Sequence, residues 1–351
     1  MSSLTLTVIV IARNEERTIG ACLQSCIDAV ARAREAGLVS AAEVVLVDSA
    51  STDRTTAIAA GFPIRTLSLP PSWPLSAAAG RFIGLRMSSS DVVLFVDGDY
   101  VMDPDWLSTG LRALHGPSIA GVCGVDRESL PGRSRISRYT LDLVERSIPQ
   151  TEVAETEAIA VGLYRRTWIE RAGGIQPFLR GAEDRDLAIR VRALGGRLLK
   201  TRAAMGTHHW APGADLTLVE YLRSVAGWSF GEGQAARRAS QEPTIRNVYL
   251  ARYFHLRHLL QLELALLLVA WGSLLLASLA TASLWLAGVG LASASILVLG
   301  SGIRRRESAL DALFRLHVVP YVAVRVCSFF LGWLRPPRPT EEYPAPSSFG
   351  A

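Results

Sequence analysis

The sequence predicts an α/β protein, a mostly parallel sheet with helices on both faces, followed by C-terminal transmembrane helices. Three observations carry this. Apolar, β-branched runs recur at Leu6–Ala12 (LTVIVIA), Glu43–Asp48 (EVVLVD) and Val92–Val96 (VVLFV), as expected of strands buried on both faces. Segments with apolar residues at helical spacing lie between them, and strands alternating with helices pair in parallel. Finally, Leu264 to Ile303 holds no charged residue, whereas about 20 apolar residues suffice to span a bilayer.

The elements follow in order. Leu6–Ala12 is the first strand and Thr18–Arg34 the first helix. Glu43–Asp48 is the second strand, and Thr52–Ala60 begins a second helix with Thr52 and Asp53 as caps. Pro63–Leu69 is a short third strand, Leu75–Ser88 a helix, and Val92–Val96 the fourth strand. Pro131–Arg135 reads as a loop, Ser137–Ser147 as a helix, and Ala158–Tyr164 and Leu198–Ala203 as late strands. A soluble α/β domain is therefore expected over residues 1–215 and amphipathic juxtamembrane helices over 216–257. A membrane region follows over 258–335, with a two-helix hairpin at 262–303 and a spanning or interfacial segment at 312–334. The Pro-rich end, 336–351, is expected to be disordered. Arg252 and Arg257 precede the hairpin and Arg304-Arg305-Arg306 follow it, which puts both of its ends on the cytoplasmic side of an inner membrane. The start, Met-Ser-Ser and then a strand, has no basic n-region, which agrees with that orientation.

Composition narrows the partners. With 351 residues, 49% hydrophobic and 20% charged, the chain can build one sizeable core and something smaller. The net charge of +5 is spread along the chain and flanks the apolar tail, which favours a membrane surface or an anionic substrate over nucleic acid. Cys22, Cys26, Cys123 and Cys327 form no CxxC pair and no Cys/His set with zinc spacing, so they read as reduced core residues.

Polar clusters fall at the carboxyl ends of the strands, where open α/β sheets bind ligands. Arg13-Asn14-Glu15-Glu16 follows the first strand, Asp48–Asp53 the second, and Asp97-Gly98-Asp99 the fourth. A carboxylate pair at the end of a buried strand suits a hard divalent ion, Mg²⁺ or Mn²⁺, that carries a diphosphate. Asp99 is the expected ligand, with Asp97 nearer the metal or a ribose. Glu183-Asp184 opens a helical run, and a second acidic pair can supply a general base. Asp186 and Arg190 are spaced to pair along the same helix.

Taken together, Ala12-Arg13-Asn14-Glu15-Glu16, Val47–Asp53, Asp97-Gly98-Asp99 and Gly181–Leu187 with Arg190 resemble glycosyltransferase family 2 over roughly residues 4–210. The resemblance implies a GT-A, Rossmann-like fold and an inverting, metal-dependent transfer from a nucleotide-diphospho-sugar, usually of uridine or guanosine. Carried over, Ala12, Arg13 and Glu15 line the base and ribose pocket and Asp48 accepts from the base. Asp184, beside Glu183, is the catalytic base. Ala77–Gly84 is similar to a family segment whose arginine lies near the diphosphate, here Arg81; the asparagine that follows it in the family is Phe82 in this chain. In many relatives a histidine near the last strand helps hold metal or diphosphate, and His208 is preferred here over His209. Processive relatives carry Q-x-x-R-W; Gln234-Ala235-Ala236-Arg237-Arg238 lacks the tryptophan, which argues against polymer synthesis and reads as a solvated or lipid-facing basic helix. Arg133, Arg135 and Arg138 sit where an acceptor loop is expected to meet lipid phosphates. The expected acceptor is a lipid or lipid-linked glycan, with a polyprenyl-phosphate sugar synthase as one alternative and an inactive membrane scaffold of the same fold as another. A nucleotidyltransferase is disfavoured, because no Gly-rich phosphate loop follows the first strand.

Overall fold

The computed structural model describes residues 4–130, 141, 144–209, 218–253 and 318–344. Nine strands among them form one sheet: β1 Leu4–Ala12, β2 Val39–Asp48, β3 Arg65–Ser68, β4 Val92–Asp97, β5 Tyr100–Met102, β6 Ile119–Glu128, β7 Val153–Glu155, β8 Gly162–Arg165 and β9 Arg197–His208. Their order is β3-β2-β1-β4-β8-β6-β9-β5, with β7 paired to β9.

The helices are α1 Ile19–Glu35, α2 Thr55–Ala59, α3 Ala77–Arg86, α4 Trp106–Ala113, α5 Arg166–Arg171, α6 Glu183–Ala193, α7 Leu218–Gln241, α8 Pro243–Val248 and α9 Val318–Leu334. In α1 the residues Cys22, Leu23, Cys26, Ala29, Val30 and Ala33 are buried. Their spacing makes one apolar stripe against the sheet. The helix α3 starts at Ser76, whose hydroxyl accepts from the Ala79 amide at 3.1 Å.

The expectation of a mostly parallel sheet is corrected to a mixed one. The β1–β2, β1–β4, β2–β3 and β6–β9 pairings are parallel. The β4–β8, β6–β8, β5–β9 and β7–β9 pairings are antiparallel. The parallel half holds the strands whose apolar runs stand out. Beyond β4, the strand β8 inserts between β4 and β6 and reverses direction, so both of its edges are satisfied by antiparallel ladders. The central strands are buried from Leu6 to Ala12 and from Val92 to Val96, and they form the core with α1, α3 and α4.

The C-terminal segments depart from expectation in three ways. First, Gln234, Ala235 and Ala236 of α7 are buried rather than solvated or lipid-facing. They lie where α7 meets α6 and α9, and the α7–α9 crossing is close because Gly233 faces the Phe329 backbone and Gly332 faces the Phe230 backbone. Arg237 lies over the ring of Trp333, 5.6 Å from its centroid. Second, the tail is ordered over 336–344. Tyr343 is 5% exposed, meets the rings of Trp73, Phe82 and Phe178 edge-on, and donates to the Pro74 carbonyl at 2.8 Å. One buried aromatic outweighs the disorder that the prolines imply, and Phe82 gains an apolar partner. Third, no helix among the described residues is long and apolar enough to cross a membrane. The expected hairpin at 262–303 and Arg133, Arg135 and Arg138 lie outside the described residues.

Candidate active site

The sheet register gathers the acidic motifs at one edge. Ala12 of β1 is paired with Asp48 of β2, and Ile11 with Asp97 of β4. The chain then turns through Gly98, whose amide donates to the Ile11 carbonyl at 2.8 Å. A Cβ at residue 98 would stand 2.8 Å from the Ala12 Cβ and 3.2 Å from the Glu15 Cγ, so only glycine fits this crossing. Next, β5 carries Asp99 to β9. The pair Tyr100–His208 and the pair Glu128–His208 place His208 between two strand ends.

Two loops beside this edge are laced together. The Asn14 amide donates to Ser51 Oγ at 2.9 Å, Asn14 Oδ1 accepts from the Thr52 amide at 2.8 Å, and the Glu15 amide donates to Thr55 Oγ1 at 2.8 Å. Asp53 accepts from the Thr55 amide at 3.0 Å and the Glu16 amide at 3.1 Å and so ties both loops, while the residue at the N-cap position of α2 is Arg54 rather than Thr52 or Asp53. Asn14, Ala50 and Ala182 have φ of 59°, 56° and 56°. Left-handed backbone at non-glycine residues costs on the order of 1–3 kcal/mol and clusters at functional sites. Ala182 directly precedes Glu183-Asp184.

These elements line a cleft of about 770 Å³. Ala12, Arg13, Glu15, Arg81, Asp97, Asp99, Glu183, Asp184 and His208 all face it. Asp48 does not: its neighbour Ser49 lines the cleft, while the Asp48 carboxylate is 2% exposed and accepts from the Ser51 amide at 3.1 Å. The far wall comes from α7 and α9, through Tyr221, Val225, Trp228, Glu232 and Arg325, with Arg180 and Arg185 beside them. No motif in the sequence marks those residues, because they face the cleft only once α7 has packed on the loop before α6.

Arg81 is the electrostatic hinge. It is 5% exposed, ion-pairs with Glu183, and donates to Asp97 Oδ1 at 2.7 Å. Burial raises both carboxyls, Arg81 opposes that, and the nearby Asp184 raises them further. Glu183 is therefore tied to Arg81. By contrast, the Asp184 carboxylate makes no hydrogen bond or ion pair among the described residues and opens onto the cleft. Glu15 is pushed up to about 6 by burial first and by the charge of Asp99 second.

His208 Nε2 is 2.9 Å from Asp99 Oδ2 and its Nδ1 is 3.1 Å from Glu128 Oε2. Burial alone would lower its pKa, but the two carboxylates outweigh burial and push it up to about 10. His209 instead uses its backbone amide, which donates to the Asp99 carbonyl at 2.7 Å. Among the described residues, no group of three or more His, Cys, Asp or Glu side chains is drawn together as for a metal ion. Asp99 and His208 are the pair that share a point in the cleft.

Deeper in α6, the expected Asp186–Arg190 pair forms at 2.7 Å. Asp186 also accepts from Arg238 of α7 at 2.6 Å, so it bridges the two helices.

Comparison with known proteins agrees with this geometry. Residues 7–168 match the profile of glycosyl transferase family 2. Pre-mycofactocin glycosyltransferases of two Mycobacterium tuberculosis strains, CDC 1551 / Oshkosh and ATCC 25618 / H37Rv, are 29% identical over 139 residues. That alignment spans 37% of this chain and only 29% of each relative. Among solved structures, the mannosyltransferase PcManGT from Pyrobaculum calidifontis, in complex with GDP-Man and Mn²⁺, aligns over 95% of this chain and 89% of its own. Its TM-score is 0.59 at 20% identity, a likeness of GT-A fold. S. aureus TarS 1-349 in complex with UDP-GlcNAc aligns over 71% of this chain and 73% of its own, with a TM-score of 0.48 at 16% identity. Over residues 7–168, a little under half of its length, the chain is thus similar to glycosyl transferase family 2.

Proposed function

We propose that the protein moves a sugar from a nucleotide-diphospho-sugar to a membrane-associated acceptor, with inversion at the anomeric carbon. The observation that carries this reading is that Asp184, unengaged among the described residues, and the Asp97/Asp99/His208 group open onto one cleft. Arg81 bridges the two acidic groups through Asp97 and Glu183. Ala12, Arg13 and Glu15 would take the nucleoside, and Asp48 would act from behind Ser49 by holding the loop.

Asp184 takes the acceptor hydroxyl proton as the acceptor oxygen bonds to the anomeric carbon. The bond to the diphosphate breaks on the opposite face, and the nucleoside diphosphate leaves with that electron pair. Glu183 and Arg81 fix the start of α6 and so aim Asp184. A divalent ion bound jointly with the diphosphate would be held by a carboxylate oxygen of Asp99 and by the imidazole of His208 after loss of its proton, hard and borderline ligands suited to Mn²⁺ or Mg²⁺. Asp97, already held by Arg81, would assist. When bound, the ion would neutralise charge building on the leaving diphosphate. The solved mannosyltransferase with GDP-Man and Mn²⁺ supports this donor class and metal.

A membrane acceptor, lipid or lipid-linked, is supported by the charge-free run Leu264–Ile303 with arginines at both outer ends. That run would hold the cleft beside the cytoplasmic face of the bilayer. The test is Asp184→Asn in the full chain. It should still bind donor nucleotide-sugar yet transfer at least about a hundredfold more slowly, the usual worth of a general base. Loss of donor affinity with unchanged turnover of bound donor would remove Asp184 from the base role.

A further inference from the structure

Several arginines share the cleft with Asp184, yet Asp184 pairs with none of them. Arg81 is taken by Asp97 and Glu183. Arg180 has its guanidinium 5.8 Å from the Phe230 ring centroid, while its amide donates to Gln234 Oε1 at 3.4 Å. Arg185 directly follows Asp184 on the first turn of α6, and it is turned to Glu232 of α7. Glu232 also accepts from Arg325 of α9 at 3.1 Å. Glu232 and Arg325 side chains are 12% and 18% exposed, so this bridge is largely shielded from water. The α7 side is closely packed here: a Cβ at Gly231 would run into the backbone of Gly181, three residues before Asp184, and a Cβ at Gly181 would stand 3.3 Å from the Gly227 carbonyl.

We propose that Glu232 is a positioning residue that draws Arg185 away from Asp184 and thereby keeps Asp184 free to act as a base. This rests on the reading of Asp184 as the base. An arginine within reach of a carboxylate lowers its proton affinity by about one to three pKa units. It also occupies the oxygens that an acceptor hydroxyl must reach. The other charged or titratable groups around Asp184 are Glu183, Asp97 and Arg81 on the sheet side, the buried Tyr164 behind them, and Tyr221, Arg180 and Arg325 on the far wall. Arg185 is the cation nearest to Asp184 in the chain, and Glu232 is its carboxylate.

The test uses the full chain in detergent with Mn²⁺ and either UDP-glucose or GDP-mannose, whichever binds. It reads release of nucleoside diphosphate against pH, water standing in for the acceptor. In Glu232→Gln, turnover should fall about tenfold near neutral pH and the acid limb of the profile should move down by roughly one unit, with donor affinity unchanged. In Glu232→Gln/Arg185→Gln the acid limb should return, because the released guanidinium is gone. A purely structural role for Glu232 would leave the double variant no better than the single one. That result, or an unmoved acid limb in Glu232→Gln, overturns the proposal. Normal turnover by Asp184→Asn would instead overturn the base assignment on which it stands.

Discussion

Replacing Arg81 by methionine tests the electrostatic account of the cleft. The substitution keeps length and apolar stem but leaves Glu183 and Asp97 without their shared cation. The Arg81 and Glu183 side chains are 6% and 10% exposed, while Asp97 is 33% exposed and partly screened by water. Removing one partner of a buried pair costs about 3–5 kcal/mol, and the exposure of Asp97 argues for the lower end, about 3 kcal/mol. At about 2–4 °C per kcal/mol for a domain of this size, the unfolding midpoint should drop by about 6–12 °C near pH 8. The loss should depend on pH. Burial already raises both carboxyls in the folded state, and without Arg81 the largest opposing influence is gone. A carboxyl with a raised folded pKa keeps its stability below its unfolded pKa, about 4, and loses it as pH rises through the folded value. The deficit of Arg81→Met should therefore be full near pH 8 and shrink towards about pH 4. Tryptophan fluorescence melts of both proteins across that range give the comparison. A deficit equal at both ends of the range would refute the pairing as described.

Two further outcomes are expected, the first from the structure and the second from the sequence. Tyr343→Ala removes a buried ring, at a local cost of about 3 kcal/mol; hydrogen–deuterium exchange should rise over 336–344 and around Trp73 and Pro74 but not in β1 or β4, and unchanged exchange in the tail would mean that Tyr343 does not hold it. For the membrane reading, the full chain should stay with membranes through alkaline carbonate extraction, and release into the soluble fraction would remove the anchor.

The parallel half of the fold was legible because β1, β2 and β4 each hold a continuous apolar run, VIVIA, VVLV and VVLFV. The other half was hard to read for identifiable reasons. In β6 the run Ile119–Glu128 is interrupted by Gly121 and Gly124, which look like strand breakers. Yet a Cβ on Gly121 would stand 2.8 Å from the Leu163 carbonyl, so packing of β8 demands the glycine. The strand β5 has three residues, too short for any period. For the site, the motifs put Glu15, Asp97, Asp99 and Asp184 on the same side of the sheet because strand ends converge there. They could not reveal that Glu183 is spent on Arg81, a contact across 102 positions, or that Glu128 flanks His208. Asp48 shows the limit of a motif: its carboxylate holds a turn rather than facing the cleft. The tail misled because proline content masks a single anchoring aromatic.

The most direct test of the central claim is calorimetric titration of the full chain with UDP- and GDP-sugars, with and without Mn²⁺, in the wild type and in Asp99→Ala. The account predicts that one donor class binds with metal, binds at least about tenfold more weakly without it, and loses that metal dependence in Asp99→Ala. Donor binding of equal strength with and without Mn²⁺, and unchanged by Asp99→Ala, would contradict it.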